Sequence, residues 1–532
     1  MEICQLVEAL STPSAFPDSS PGIEIRQTHI SVVFLGGSTA YKIKKPVNLG
    51  FLDFSTLENR QHFCHEEVRL NRRLAPSVYL GVVPVVMAKD GLHFEGKGEI
   101  AEWAVKMKRL ADDATLLAHL KRDELDAKTL EDLAAKIADF HSRADRSERT
   151  ASMGRFEVVA RNVRENLDES IGLHDVTLSR SVHERLRSLS EQALVKLRPL
   201  IEERARRGVP CDTHGDLRLE HVYLLAEQDG LDGIVVIDCV EFNERFRYAD
   251  PVADMAFIVM DLLFSGRSDL ARAFSEAYLR RSGDAEGRLL LPFYIAYRAA
   301  VRGKVEGIKF TEPEVPETER VAARERAKRY WLLALGKLEE PNRKPCLVLV
   351  GGLPGTGKST LAEGLSQNAG FEVVRSDLVR KEMAGLSAES RAPARFGEGI
   401  YTSDSDSKTY AECLRRTEEH LFQGKRVIVD ATFREEEKRR LFLQAAHSWG
   451  VSALFLHCQA DANIVHRRLE SRRNDASDAD WAIHQKAAER WEPLSEQTRP
   501  FTREMDLNGS ANSALAAALD ALADAGIYEQ AI

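Results

Sequence analysis

From Ile23 to about Leu110 the apolar positions fall in short runs and alternations that predict strands. Ile30–Leu35 and Thr39–Lys44 are two such runs, separated by Gly36-Gly37-Ser38, a hairpin signal. The charged stretch Phe54 to Leu74 reads as a helix that must end before Pro76. Tyr79–Met87 and Glu102–Met107 read as further strands. From Leu110 to about Leu338 the pattern is mostly helical, broken by Cys211–Leu225 and by the apolar strand Ile234–Ile237. The polar, proline-bracketed run 339–345 predicts a linker. After it the pattern becomes strand, helix, strand, helix. Cys346–Val350, Phe371–Val374, Val427–Val429 and Ala453–Leu456 are the strands, and Thr360–Leu365 is the first helix. Alternation of this kind implies a parallel sheet. The Ala-rich stretch Asn512–Ala525 reads as a terminal helix.

Length and composition narrow the partners. At roughly 150 residues per folding unit, 532 residues predict three or four units. Hydrophobic residues at 43% and charged residues at 30% are the balance of a globular chain. With 74 basic and 83 acidic residues the formal charge is −9, which gives no global field for a phosphate backbone and disfavours nucleic acid as the main partner. The cysteines at 4, 64, 211, 239, 346, 413 and 458 are scattered singly, which excludes a zinc ribbon or disulfide framework and suggests a reducing compartment. The start of the chain lacks the pattern of a signal peptide, and the best apolar run, Met255 to Phe264, is well short of the ~20 residues needed to span a bilayer. The expectation is a cytoplasmic protein with no membrane partner. Oligomeric state is not legible.

The strongest chemical signal is Gly352-Leu353-Pro354-Gly355-Thr356-Gly357-Lys358-Ser359, which fits GxxxxGK[ST] at every fixed position. It follows a predicted strand and opens a predicted helix at Thr360. Glycines let successive backbone N–H groups turn toward one anion, and the helix N-terminus adds positive potential. Lys358 can reach β- and γ-phosphates, and Ser359 can ligate Mg²⁺. Asp377 follows the second strand, where a carboxylate can orient an acceptor hydroxyl and take its proton. Asp430 ends the strand after Val427-Ile428-Val429, a place to hold Mg²⁺ directly or through water, or simply a strand-end turn acid. Arg467, Arg468, Arg472 and Arg473 lie on a helix-like stretch; Arg468 and Arg472 share a face, as a lid over the phosphates or as a solvated basic surface.

Together, GGLPGTGKST, RSD, VIVDATF and the Arg468-to-Arg472 pair resemble the small P-loop kinases that include gluconate kinase, zeta-toxin-like kinases and polynucleotide kinase, over about 343–510. That resemblance implies ATP-dependent phosphorylation of a hydroxyl, with Asp377 on the acceptor side. The polar stretch Ser387–Ser407 is where it implies a substrate-specific lid.

A second constellation lies upstream. Thr213-His214-Gly215-Asp216 with the residues through His221, the strand-end Asp238, and Asp250-Pro251-Val252-Ala253-Asp254 resemble the HGDxxxxN loop, metal aspartate and DPxxD of aminoglycoside phosphotransferases. Lys42 or Lys44, two apart and so on one strand face, and Glu66 or Glu67 on the next helix supply a Lys–Glu pair; Lys42 and Glu66 are favoured. The resemblance, over about 20–335, implies that Asp216 positions the acceptor, Asp238 chelates Mg²⁺, Lys42 holds α- and β-phosphates, and Asp254 braces the loop. The chain departs from the pattern at His221, where the family has Asn. An imidazole has one lone pair and Mg²⁺ prefers oxygen, so His221 holds metal through water, favours Mn²⁺, or packs as a satisfied histidine. No clear GxGxxG precedes it.

The whole chain resembles bacterial fusions of such a phosphotransferase domain with a P-loop kinase. The implied fold is an α+β, bilobal, protein-kinase-like region (N-lobe 1–108, helical C-lobe 109–338), a linker at 339–345, and an α/β P-loop domain with a parallel sheet at 346–532. The expected function is ATP/Mg²⁺-dependent transfer to a small-molecule hydroxyl, with two ATP sites. A P-loop kinase regulated by a non-catalytic kinase-like domain, and a polynucleotide 5′-hydroxyl kinase, are the alternatives.

Overall fold

The computed structural model describes residues 3–17, 22–50, 52–225, 230–387, 402–471 and 480–529. Contacts divide the chain into two units, one of residues 1–162 and 194–295, the other of residues 163–193 and 296–532.

The first unit holds a six-stranded antiparallel sheet. Its order is Glu24–Gln27, Ser31–Gly36, Thr39–Lys44, Glu99–Lys108, Tyr79–Ala88, Gly91–Phe94. One face carries Val32, Phe34, Tyr41 and Ile43, covered by Leu6 and Leu10 of the helix Ile3–Leu10. The other face carries Ala40, Val105 and Met107, covered by Cys64 and Val68 of the helix Leu57–Asn71. Thr56 caps that helix by accepting from the Asn59 amide, which sets its start three residues later than the charged pattern suggests. Strand alternation therefore sends Lys42 and Lys44 to the face covered by this helix. A helical region follows, in which Ala127–Arg143, Pro251–Phe264 and Ser268–Ser282 pack together. Two short antiparallel pairs, Val222–Leu224 with Ile234–Val236 and Cys211–Asp212 with Tyr248–Ala249, carry the loops of the candidate site.

The second unit is built on a five-stranded, wholly parallel sheet. Its order is Phe371–Arg375, Arg426–Asp430, Cys346–Gly351, Ser452–Gln459, Thr502–Asp506. The first strand in sequence lies in the middle and is buried at all six positions, as the uninterrupted run CLVLVG requires when helices cover both faces. Val348, Val350, Ile428, Leu454 and Leu456 pack against Leu361 and Leu365 of the helix Lys358–Ala369 and against Ala518 and Leu522 of the terminal helix. The fold is thus an antiparallel-sheet-and-helix region followed by an α/β domain with a parallel sheet. Among the described residues no helix is long and apolar enough to cross a membrane, and all seven cysteines are free, with only Cys4 exposed.

Candidate active sites

In the first unit the site is assembled by charge. Lys42 Nζ lies 2.7 Å from Asp238 Oδ1 and 2.9 Å from Glu67 Oε1. Lys44 Nζ lies 2.8 Å from Glu67 Oε2 and also pairs with Glu241. Of the two lysines, Lys42 is the one beside Asp238; Lys44, with only 1% of its side chain exposed, is the deeper member. The carboxylate that meets them is Glu67, not Glu66. Glu67 shares a helix face with Cys64 and Asn71, three behind and four ahead, and that face is buried. Glu66 points about 100° away and forms an ion pair with Arg69 at 2.7 Å near the surface. Burial opposes the charge on each member of the buried network. The nearby carboxylates, Asp238 foremost, nevertheless raise Lys42, and Lys42 and Lys44 hold Glu67 low. Burial wins at Glu241, which is raised despite Lys44. It loses at Asp238, which Lys42 and His221 hold far below the usual carboxylate range.

Asp238 takes a left-handed backbone conformation with φ of 63°, a turn that aspartate tolerates better than most residues. Its amide donates to the Tyr79 hydroxyl at 3.2 Å, and the Cys239 amide donates to Asn71 Oδ1 at 2.9 Å. Across from it, Asp254 accepts from the amides of His214 and Gly215 at 3.0 and 2.8 Å. His141 lies 3.0 Å from the same carboxylate and is fixed in turn by the Tyr278 hydroxyl at 2.7 Å. Burial would raise Asp254, but His141 and His214 bring it down to about 2, so it is ionised and braces the loop. His214 Nε2 sits 3.0 Å from the Ile237 carbonyl, tying this loop to the segment before Asp238; burial lowers its pKa to about 4. Asp216, with 30% of its side chain exposed, opens onto the site beside His221. The His221 ring lies between the two aspartates: Nδ1 is 3.7 Å from Asp216 Oδ2 and Nε2 is 3.8 Å from Asp238 Oδ2. Burial opposes a charge on this imidazole, but Asp216, Asp238 and Glu220 outweigh it and raise its pKa.

In the second unit the site is assembled by backbone. The central strand runs into Gly352, whose φ is 141°; a Cβ there would lie 2.2 Å from the Cys458 carbonyl oxygen. Leu353, Pro354, Gly355, Thr356 and Gly357 form the loop, and Lys358, Ser359 and Thr360 make the first turn of the helix Lys358–Ala369. Lys358 Nζ donates to the Leu353 carbonyl at 2.9 Å, across the loop. Asp430 ends the neighbouring strand in register with Val350 and is 4% exposed. Burial raises its pKa, against the charge of Lys358 and a hydrogen bond from Ser359. A buried carboxylate beside a hydroxyl at the mouth of an amide-lined loop is an oxygen donor set that suits Mg²⁺.

Asp377 sits in the first turn of the helix Ser376–Met383, two residues beyond the end of the strand Phe371–Arg375. It pairs with Arg380 at 3.1 Å, and Arg380 also reaches Asp406 at 2.6 Å. Burial raises Asp406 in spite of that arginine. Arg468 does not extend over the loop as a lid residue would. Its guanidinium donates to the carbonyls of Thr356 at 2.9 Å and Leu507 at 2.8 Å, tying the loop to the segment after the last strand. Arg472 lies outside the described residues, as does most of the stretch Ser387–Ser407. His484 was not singled out by its sequence; its Nδ1 donates to the Pro354 carbonyl at 2.8 Å, with Trp481 stacked on it at 5.0 Å. Glu241, Tyr79, Asn71 and His141 were also missed, because each acts on a residue distant in the chain. Only Glu67 had a local signal, its helical spacing from the apolar Cys64.

Residues 52–291 match the family described as "Phosphotransferase enzyme family", and residues 347–494 match an "AAA domain" family. An uncharacterized protein of Mycobacterium tuberculosis strain H37Rv is 34% identical over 459 residues, covering 86% of this chain and 88% of the relative. Solved structures similar to this chain include a choline/ethanolamine kinase family protein from Mesorhizobium loti, with 14% identity over 63% of this chain and 99% of that one and a TM-score of 0.34. A sugar kinase from Janibacter sp. HTCC2649 shows 18% identity over 35% of this chain and 99% of that one, with a TM-score of 0.28. With both matches in one chain and a relative aligned through nearly all of it, this protein belongs to the family that joins a kinase-like phosphotransferase domain to a P-loop kinase-like domain.

Proposed function

We propose that the protein transfers phosphate from ATP, with Mg²⁺, to a hydroxyl group of a small molecule, and that it has an ATP site in each unit. The observation that carries this reading is the meeting of Lys358, Ser359 and the buried Asp430 at the mouth of the glycine loop. The loop amides from Gly352 to Thr360 cradle the phosphates, and Lys358 leaves the Leu353 carbonyl for the β- and γ-phosphate oxygens. Ser359 and Asp430 hold the metal. Bound Mg²⁺ supplies charge neutralisation for the phosphate oxygens. Asp377 accepts the acceptor's proton, with Arg380 fixing its carboxylate.

In the first unit Lys42, oriented by Glu67, holds α- and β-phosphates. Asp238 and His221 hold metal, and Asp216 is the base. The formal charge of −9 supports a small acceptor over a polyanion. The seven free thiols fit a cytoplasmic location.

A screen of hydroxylated metabolites for ATP-dependent phosphate transfer, with wild type and Lys358→Ala, tests the reading. Calorimetry with a non-hydrolysable ATP analogue and Mg²⁺ should give two sites in wild type and one in Lys358→Ala. No nucleotide binding by wild type would overturn it.

A further inference from the structure

The geometry gives the His221 ring a definite orientation. Nδ1 lies 2.9 Å from the Asp216 backbone carbonyl. A carbonyl can only accept, so Nδ1 carries the hydrogen and, in the neutral ring, Nε2 presents its lone pair. Nε2 faces Asp238 Oδ2 at 3.8 Å and Glu220 Oε1 at 4.0 Å, both beyond hydrogen-bond reach. A metal-ligating imidazole typically donates its second nitrogen's hydrogen to a carbonyl or carboxylate, which fixes tautomer and direction. That outer contact is already present here.

The ring nitrogen and the aspartate oxygen are near enough for small side-chain rotations to bring both onto one ion. Among the described residues no group of three His, Cys, Asp or Glu is placed to cage a metal. Two protein donors would therefore share the ion with nucleotide phosphate oxygens and water. The nitrogen changes which ion is favoured. Mg²⁺ takes oxygen ligands and gives up its water reluctantly, whereas imidazole suits first-row transition ions.

We propose that His221 Nε2 and Asp238 form a nitrogen–oxygen pair that binds Mn²⁺ together with the nucleotide in the first unit, in preference to Mg²⁺. The proposal rests on the phosphotransferase reading of that site, and the experiment separates the two. Full-length protein carrying Lys358→Ala, which removes the other nucleotide site, is loaded with Mn²⁺ and a non-hydrolysable ATP analogue. Pulsed EPR is recorded with unlabelled and with ¹⁵N-histidine-labelled protein. The expected result is an imidazole nitrogen coupling that changes with the isotope and is absent from His221→Asn. In His221→Asn the Mn²⁺–nucleotide complex still forms, with its Mn²⁺-over-Mg²⁺ affinity ratio reduced about tenfold or more.

If His221→Asn fails to fold, the isotope-dependent coupling in the labelled protein decides alone. Mn²⁺–nucleotide binding without a histidine coupling, or with one that survives His221→Asn, overturns the proposal and leaves the phosphotransferase reading standing. Absence of any Mn²⁺–nucleotide or Mg²⁺–nucleotide binding in the Lys358→Ala protein overturns both.

Discussion

The two candidate sites are made by opposite means. In the second unit the proposed phosphate-binding surface is one continuous segment, Gly352 to Thr360, whose shape follows from backbone freedom and a helix start. In the first unit the corresponding surface is gathered from residues up to two hundred positions apart: Lys42, Glu67, Asp216, His221, Asp238 and Glu241. The backbone-built site needs few buried charges. The side-chain-built site depends on a buried network of lysines and carboxylates, each with a desolvation penalty that the others must offset. The first kind tolerates changes among its neighbours; the second fails when one member is removed.

The largest effect expected from this contrast is at Glu67. Glu67→Gln leaves Lys42 and Lys44 without their shared carboxylate, and urea unfolding should show a loss of about 3–5 kcal/mol in the first unit. A loss under 1 kcal/mol would mean that the network does not act as described. In the second unit Lys358→Ala should lower kcat/KM for transfer there by about 10²–10³, near 3–4 kcal/mol, while its unfolding free energy changes by less than that. Steady-state kinetics alongside thermal melts check both parts.

A pH effect of about 3 kcal/mol is expected at His214. Burial lowers its pKa from 6.5 to about 4, so the folded state keeps it neutral while the unfolded chain takes up a proton. Its contribution is fully present above pH 6.5 and is lost progressively as pH falls toward 4. Urea midpoints for the first unit measured from pH 7 to 4.5 should fall more steeply in wild type than in His214→Gln. The smallest effect sharpens the first: Glu66→Gln breaks only a surface pair with Arg69, and its unfolding free energy should stay within about 0.5 kcal/mol of wild type.

The same contrast explains what could be read from the chain in advance. The central strand of the parallel sheet, the glycine loop and Asp430 were legible, because the run CLVLVG and the motif after it are local patterns with few structural solutions. The outer strand Thr502–Asp506 was not, since TREMD is a polar edge segment with no apolar periodicity. The edge strand Glu24–Gln27 fell within the stretch read as strand-forming, but its bounds were not legible for the same reason. In the first unit the residue types were legible and their pairings were not. Alternation put Lys42 and Lys44 on one face, but only the assembled sheet shows that Lys42 meets Asp238 while Lys44 meets Glu241. Arg468 illustrates the limit of helical spacing: it places a side chain on a face without saying that two carbonyls will occupy it.

The tight passage of Gly352 past the Cys458 carbonyl bears on how variants of this chain should be interpreted. No side chain fits there whether or not a nucleotide ever arrives, so mutational scans will score position 352 as intolerant even in a lineage that has abandoned catalysis. Its retention testifies to architecture alone. Loss of the ammonium at 358 beside an intact glycine at 352 would mark a chain that keeps its shape after giving up its chemistry.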